Sequence, residues 1–232
     1  MTGPVACAAC GGTERVFGPV LWPELVAEWG LSDEEAASID RQQGCRCTAC
    51  GANLRSMVLA RAIVATAGGS GTLAAFVASP AAADLRILEI NEAGSLTPIL
   101  ARAPGHRLRS WPDVDLQAID EPDGSLDVVV HSDTLEHVPD PVRALRECRR
   151  VLRPGGFVAY TVPIVPDRLT RSRAGLPPSW HHVPEERGDD QLVQTEYGAD
   201  AWRHPVQAGF DECRLFALEH PDAHALVGVR PG

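Results

Sequence analysis

Five of the seven cysteines fall within the first fifty residues. Cys7-Ala-Ala-Cys10-Gly and Cys47-Thr-Ala-Cys50-Gly are two matched CxxCG knuckles. Such a knuckle turns tightly, its glycine taking backbone that a side chain resists, and aims two thiolates at one ion. Two knuckles together supply the tetrahedral four-thiolate set of a structural zinc site, which leaves no open position for water or substrate. A pair of chance CxxC motifs or a redox dithiol is the competing reading, and the matched spacing weighs against it. Cys45 is a spare that could replace Cys47, but only Cys47 has the two-residue gap to Cys50. Cys148 and Cys213 sit in apolar patterns and read as core thiols.

A second group of residues could move protons or hold charge. His131-Ser132-Asp133 follows the apolar run Val128-Val129-Val130, where a strand's carboxyl end should emerge. His181 and His182 lie in a long polar stretch, residues 163–196, that also carries Arg168, Arg171 and Arg173. Imidazole titrates near neutrality and suits removal of a proton from an oxygen, nitrogen or carbon nucleophile. The candidate bases are therefore His181, His182, His131 and Asp133, each weighed against an ordinary structural histidine or carboxylate. The three arginines could grip a carboxylate or phosphate, or form a solvated loop.

The elements that must position these groups follow from spacing. Between the knuckles, Ser32 with Glu35 three residues later forms a capping-box pattern, and Gly44 suits a helix end. One or two short helices there would pack Leu21, Trp22, Leu25, Trp29, Leu31 and Ile39 against the knuckles or a neighbour. Residues 54–66 have helical spacing, with a second helix near 70–79 ended by Pro80. Strands at 86–90, 106–110, 126–131 and 156–162 then alternate with helices, including 141–152 capped by Asp140 and started by Pro141. That alternation predicts an α/β domain with a parallel sheet covered on both faces. The arginines of residues 143–153 crowd the solvated face of their helix, toward the end its dipole favours for positive charge.

The chain has 232 residues, a net charge of -10, and 21 basic residues that are all arginine. That length suits one full domain plus a small appendage, and the acidity argues against a general nucleic-acid binder. No leader-like segment or long apolar run is found, which predicts a cytoplasmic protein with no membrane partner, where cysteine pairs favour metal.

The stretch "LDVVVHSDTLEHVPDPVRALRECRRVLRPGGFVAYTVP", residues 126–163, resembles the class I S-adenosylmethionine-dependent methyltransferases. The resemblance covers residues 85–163 well and extends loosely through "YGADAWRHPVQAGFDECRLFAL", residues 197–218, as a last helix, turn and strand. It implies a Rossmann-like methyltransferase fold over residues 61–232, with 163–196 as a substrate-side insert; residues 1–60 lie outside that fold and are the zinc-ribbon-like module with a helical insertion that the two knuckles predict. It further implies that Glu89, Asn91, Gly94, Asp115, Leu116 and Ser132 surround S-adenosylmethionine, with Asp115 at the adenine amino group. In "ILEINEAGSL" only Gly94 remains of the usual glycines, but Asn91 tolerates positive φ well. No acid stands at Arg109, Ser110 or Trp111 for the ribose, Asp113 being the nearest. His137, within "LEHV", matches a position near the cofactor edge and reads as structural. The implied activity is methyl transfer to a small metabolite, such as a sugar or natural-product intermediate. The alternatives are a cofactor-binding protein that does not methylate or serves as a partner subunit, and an RNA methyltransferase.

Overall fold

The computed structural model describes residues 5–180 and 189–232. In chain order the elements are β1 (Arg15–Phe17), α1 (Pro23–Trp29), α2 (Asp33–Gly44), β2 (Cys45–Cys47), α3 (Leu54–Thr66), α4 (Leu73–Val77) and β3 (Ile87–Ile90). There follow α5 (Thr97–Leu100), β4 (His106–Arg109), β5 (Leu126–Ser132), α6 (Pro141–Val151) and β6 (Leu152–Thr161). The chain continues through β7 (Ile164–Val165), β8 (Arg171–Ser172), β9 (Thr195–Gly198), α7 (Arg203–Gln207), β10 (Glu212–Leu218) and β11 (Ala223–Val229).

The central sheet has six strands in the order β10-β11-β6-β5-β3-β4. β4, β3, β5 and β6 are parallel, and β11 runs antiparallel between β6 and β10. Val128 and Val130 of β5 pack with α3 on one face, while Val129 packs with Leu145, Cys148 and Val151 of α6 on the other. Both faces are covered, so the strands read as continuous apolar runs, as in doubly wound sheets. This is the Rossmann-like methyltransferase fold that the alternating pattern and the resemblance predict.

Local chemistry explains the ends of these elements. Asp140 accepts a hydrogen bond from the Arg143 amide at 2.9 Å, and Pro141 opens α6. Ser32 and Glu35 cap α2 reciprocally, as their spacing predicts. Asp127 anchors the start of β5: it accepts from the Arg86 amide and Nε at 2.9 and 2.8 Å and from Arg153. Burial alone would raise its pKa, but those two guanidinium groups hold it down at about 2. Gly156 is required inside β6 where it passes β5, since a Cβ there would come within 2.9 Å of the Asp127 carbonyl oxygen.

The first fifty residues do not hang free of this sheet. Cys7, Ala9 and Cys47 share one buried cluster with α3. The carbonyls of Ala8 and Ala9 accept from the Leu73 and Ala74 amides at 2.8 and 3.0 Å, satisfying the first donors of α4. Asp222, in the β10–β11 turn, is gripped twice by Arg41 at 2.7 Å and accepts from Ser38 at 3.0 Å. Glu219 in the same turn pairs with Arg15. The division expected at residue 60 falls inside α3, a single helix that packs on the sheet.

Candidate active site and the four-cysteine cluster

The two knuckles are built alike. In each, the glycine amide returns to the first cysteine's carbonyl, Gly11 to Cys7 at 2.7 Å and Gly51 to Cys47 at 2.8 Å. Both glycines have positive φ, 90° and 75°. The ligand atoms of Cys7, Cys10, Cys47 and Cys50 all lie within 4.8 Å of one another. The Sγ atoms of Cys7 and Cys50 are 3.8 Å apart, and those of Cys10 and Cys47 are 3.7 Å apart. A tetrahedral zinc with Zn–S of about 2.3 Å requires S···S edges of about 3.8 Å, so the donor set fits that ion. A disulfide would bring two sulfurs to about 2.05 Å, and all seven cysteines are free thiols. Cys45 is not part of the cluster.

A cleft of about 1050 Å³ opens over the carboxyl ends of β3, β4 and β5. Asn91, Gly94, Asp115, Leu116, Ser132 and Asp133 line it together, from segments spread over more than forty residues. Asn91 and Gly94 both have left-handed backbone, with φ of 55° and 56°. Asn91 locks the loop by accepting from the Trp111 amide at 3.0 Å and donating to Thr134 at 3.3 Å. Asn91 therefore takes the backbone role that a glycine fills elsewhere. Half-buried Asp115 accepts from the Gln117 amide at 2.8 Å, and Ser132 shares a 2.7 Å hydrogen bond with Thr161. The cleft's size, its loop of closely approaching backbone and its carboxylate suit a nucleoside-bearing cofactor.

Glu89 requires a correction. Its side chain is fully buried and does not line the cleft. It accepts instead from the Ala93 amide at 2.7 Å, the Thr97 hydroxyl at 2.5 Å and His106 Nε2 at 2.6 Å. Glu89 thus supports the cofactor loop from beneath and does not face a ligand. Asp113 is likewise outside the lining; the end of β4 offers Ser110 and the indole of Trp111.

His131 is also not where a base would have to be. β5 runs one residue past it, so its ring turns into the core, wholly buried and stacked on Tyr160 with centroids 4.8 Å apart. Burial pushes its pKa down to about 3. An imidazole titrates near 6.5 in an unfolded chain, so this contribution to stability is complete above that value and drains away as pH falls toward 3. The expected slope is up to about 1.4 kcal/mol per pH unit. His131→Phe, which preserves the stack, should flatten the loss between pH 6.5 and 5 in denaturant titrations. Parallel losses in the two proteins would acquit His131.

Asp133 does reach the cleft, with a positive φ of 50°, but Arg55 of α3 holds it at 2.7 Å. His181 and His182 lie outside the described residues. Among the described residues the imidazole that lines the cleft is His137, which the sequence reading took as structural. Its Nδ1 is 3.2 Å from the Leu192 carbonyl; a carbonyl only accepts, so this nitrogen donates. The cleft also receives Arg46, Gly51 and Asn53 from the second knuckle and its exit. A legible signal existed for these: the knuckle runs directly into α3, so its exit must lie at that helix's first turn.

Arg168, Arg171 and Arg173 line a different cavity and are engaged. Arg168 makes a fork to Glu35 at 2.5 and 2.6 Å and donates to the carbonyls of Trp29 and Gly30. Arg171 binds Glu196 at 2.5 Å, and Arg173 binds the same carboxylate. Arg168 ties the insert to α1 and α2, while Arg171 and Arg173 share the single carboxylate of Glu196 within the insert.

Residues 66–160 match the family model described as a methyltransferase domain. The ubiquinone biosynthesis O-methyltransferase of Pseudomonas paraeruginosa (strain DSM 24068 / PA7) is 43% identical over 65 residues, 25% of this chain and 28% of that protein. A probable S-adenosylmethionine-dependent methyltransferase of Mycobacterium tuberculosis (strain ATCC 25618 / H37Rv) is 43% identical over 99 residues, 43% of this chain and 32% of that protein. The chain therefore spans about a third or less, 28% and 32%, of these curated relatives. A solved S-adenosylmethionine-dependent methyltransferase from Thermotoga maritima aligns at a TM-score of 0.41 and 16% identity, covering 63% of this chain and 83% of that one. The stretch that matches a methyltransferase domain holds β3, β4, β5 and most of β6, and the cleft lies over the carboxyl ends of the first three of these strands.

Proposed function

We propose that this chain transfers a methyl group from S-adenosylmethionine to an oxygen of a small metabolite, a natural-product or sugar intermediate being the class in view. The observation that carries this reading is the cleft over β3, β4 and β5, where left-handed Asn91 and Gly94 face Asp115 and Leu116. Bound there, S-adenosylmethionine supplies a methyl group activated by a sulfonium. The protein's part would be alignment: Asp115 would accept from the adenine amino group, the 91–94 backbone would hold the amino-acid moiety, and Arg46, which lines the same cleft, would meet its carboxylate. Holding an acceptor in line with the methyl converts a bimolecular step into an effectively unimolecular one. An oxygen acceptor is supported by the O-methyltransferase names of the Pseudomonas relatives. The four cysteines belong to the same proposal as a structural zinc site.

Calorimetry tests the cofactor half directly. S-adenosylmethionine and its demethylated product should both bind, and Asp115→Ala should weaken both by about 1–3 kcal/mol, the cost of stranding a buried donor. Folded protein that binds neither ligand would defeat the proposal.

A further inference from the structure

A second cavity, of about 420 Å³, lies apart from the cofactor cleft, and among the described residues no side chain lines both. Trp29 of α1 and Ile39 of α2 form one side, and Val165, Val193 and Tyr197 of the insert and β9 form the other. Ile39, Val193 and Tyr197 are buried, whereas Leu169 and Arg171 are exposed, so the cavity meets solvent beside those last two. Its volume lies within the range of small-molecule sites, about 300–1,000 Å³, and its walls are mostly aliphatic and aromatic.

The charge around it does not balance. Arg168, Arg171 and Arg173 all line the cavity, yet two carboxylates answer them. Arg168 forks to Glu35 and holds that carboxyl below its ordinary range. Arg171 and Arg173 share Glu196; burial would raise its pKa, but these two guanidinium groups hold it down. Three cations against two anions leave one positive charge. Glu136, the other acid among the described lining residues, does not cancel it: burial, with the charge of Asp133 nearby, raises its pKa well above the ordinary range, so it keeps its proton. Hydrogen bonding shows where the surplus lies. Arg168 commits all three nitrogens, to Glu35 and to the carbonyls of Trp29 and Gly30. Arg173 has a buried Nε with no acceptor among the described residues. Arg171 reaches Glu196 through Nε alone, which leaves both Nη nitrogens for a further acceptor at the mouth.

We propose that this cavity is a second ligand site, separate from methyl transfer, for an apolar compound that bears one carboxylate. Its hydrocarbon body lies against Trp29, Ile39 and Val165, and its carboxylate meets the Nη nitrogens of Arg171. A planar carboxylate matches the edge of a guanidinium in two parallel hydrogen bonds. Water screens an ion pair at an exposed mouth, so the charge there selects the ligand while the apolar walls retain it. A neutral compound would leave the surplus unanswered. The walls come from α1, α2 and the insert, so the ligand bridges the same two parts of the chain that Arg168 ties together.

The test is calorimetric titration of the full chain with 2-naphthoate, 2-naphthol and acetate. 2-Naphthoate should saturate one site, at least tenfold more tightly than 2-naphthol and at least a hundredfold more tightly than acetate. Saturating the protein with the demethylated cofactor should change the 2-naphthoate affinity by less than threefold. Arg171→Gln removes the surplus charge and leaves Arg173 on Glu196, so the preference for 2-naphthoate over 2-naphthol should fall below threefold. Val165→Phe, at a half-buried position in the wall, should weaken both naphthalene probes at least tenfold. Thermal melting verifies folding of the variants, and the comparison of probes on the parent needs no variant. The proposal is overturned if 2-naphthoate fails to saturate, if 2-naphthol or acetate binds as well, if the demethylated cofactor competes with it, or if the folded variants bind as the parent does. A parent that binds 2-naphthoate but no cofactor would remove the methyltransferase reading and leave this site standing.

Discussion

Glu89→Leu is expected to cost about 3–5 kcal/mol of stability, the range found when one partner is removed from a buried charged network. The carboxylate receives three hydrogen bonds in a site with no solvent access. Removing it strands the Ala93 amide, the Thr97 hydroxyl and His106 in the core, each at its own desolvation cost. The loop at residues 91–94 would lose the support that fixes its left-handed backbone, so cofactor binding should vanish along with stability. Denaturant unfolding reads the first effect and calorimetry the second. Thr97→Ala, which removes a single contact, should cost about 1 kcal/mol and leave binding measurable. Wild-type stability and cofactor affinity in Glu89→Leu would show that the loop stands without its prop.

Loss of the metal is expected to be the other large effect. Purified protein should carry about one zinc per chain, the stoichiometry of a single four-thiolate site. Structural zinc contributes apparent binding energies of about 10–16 kcal/mol in isolated fingers, and that energy is folding energy. Cys10→Ser or Cys50→Ser should therefore strip the ion and lower Tm by at least about 10 °C, equivalent to a few kcal/mol at this chain length. Gly51 and Asn53 leave the second knuckle directly into the cleft wall, so cofactor affinity should fall in the same variants. Cys148→Ser, in the core under α6, should leave metal content unchanged. Elemental analysis, melting and titration read the three outcomes, and a metal-free parent of full stability would remove zinc from the account.

Much of this architecture is legible locally. The Ser32–Glu35 box, the Asp140 cap with Pro141, and the two knuckles each depend on residues a few positions apart, and each forms as its spacing dictates. The cleft residues Asn91, Gly94, Asp115, Leu116 and Ser132 were placed by resemblance and Asp133 by its position at a strand's end, and the fold brings them to one space. What the sequence hides is pairing across distance and the choice of sheet face. Arg168 meets Glu35 across 133 positions, and nothing in "PDRLTRSR" announces that partner. His131 lies in a strand buried on both sides, where period-two alternation does not distinguish core from cleft. β11 was not foreseen either; "AHALVGV" is a buried run whose antiparallel place between β6 and β10 depends on strands from two other parts of the chain.

The turn between β10 and β11 gives the molecule a definite order of assembly. Synthesis delivers the cysteine knuckles ahead of the sheet they pack against. Their neighbours come last: Arg15, Ser38 and Arg41 meet Glu219 and Asp222, and α3 packs against β11, whose final residue is Val229. A nascent chain stalled before residue 212 would thus hold the cysteine knuckles and a four-stranded sheet with an open β6 edge, the kind of unpaired edge that recruits other chains. Closure of the sheet by β10 and β11 thus brings Glu219 and Asp222 to Arg15 and Arg41, after every residue that lines the cleft has been made.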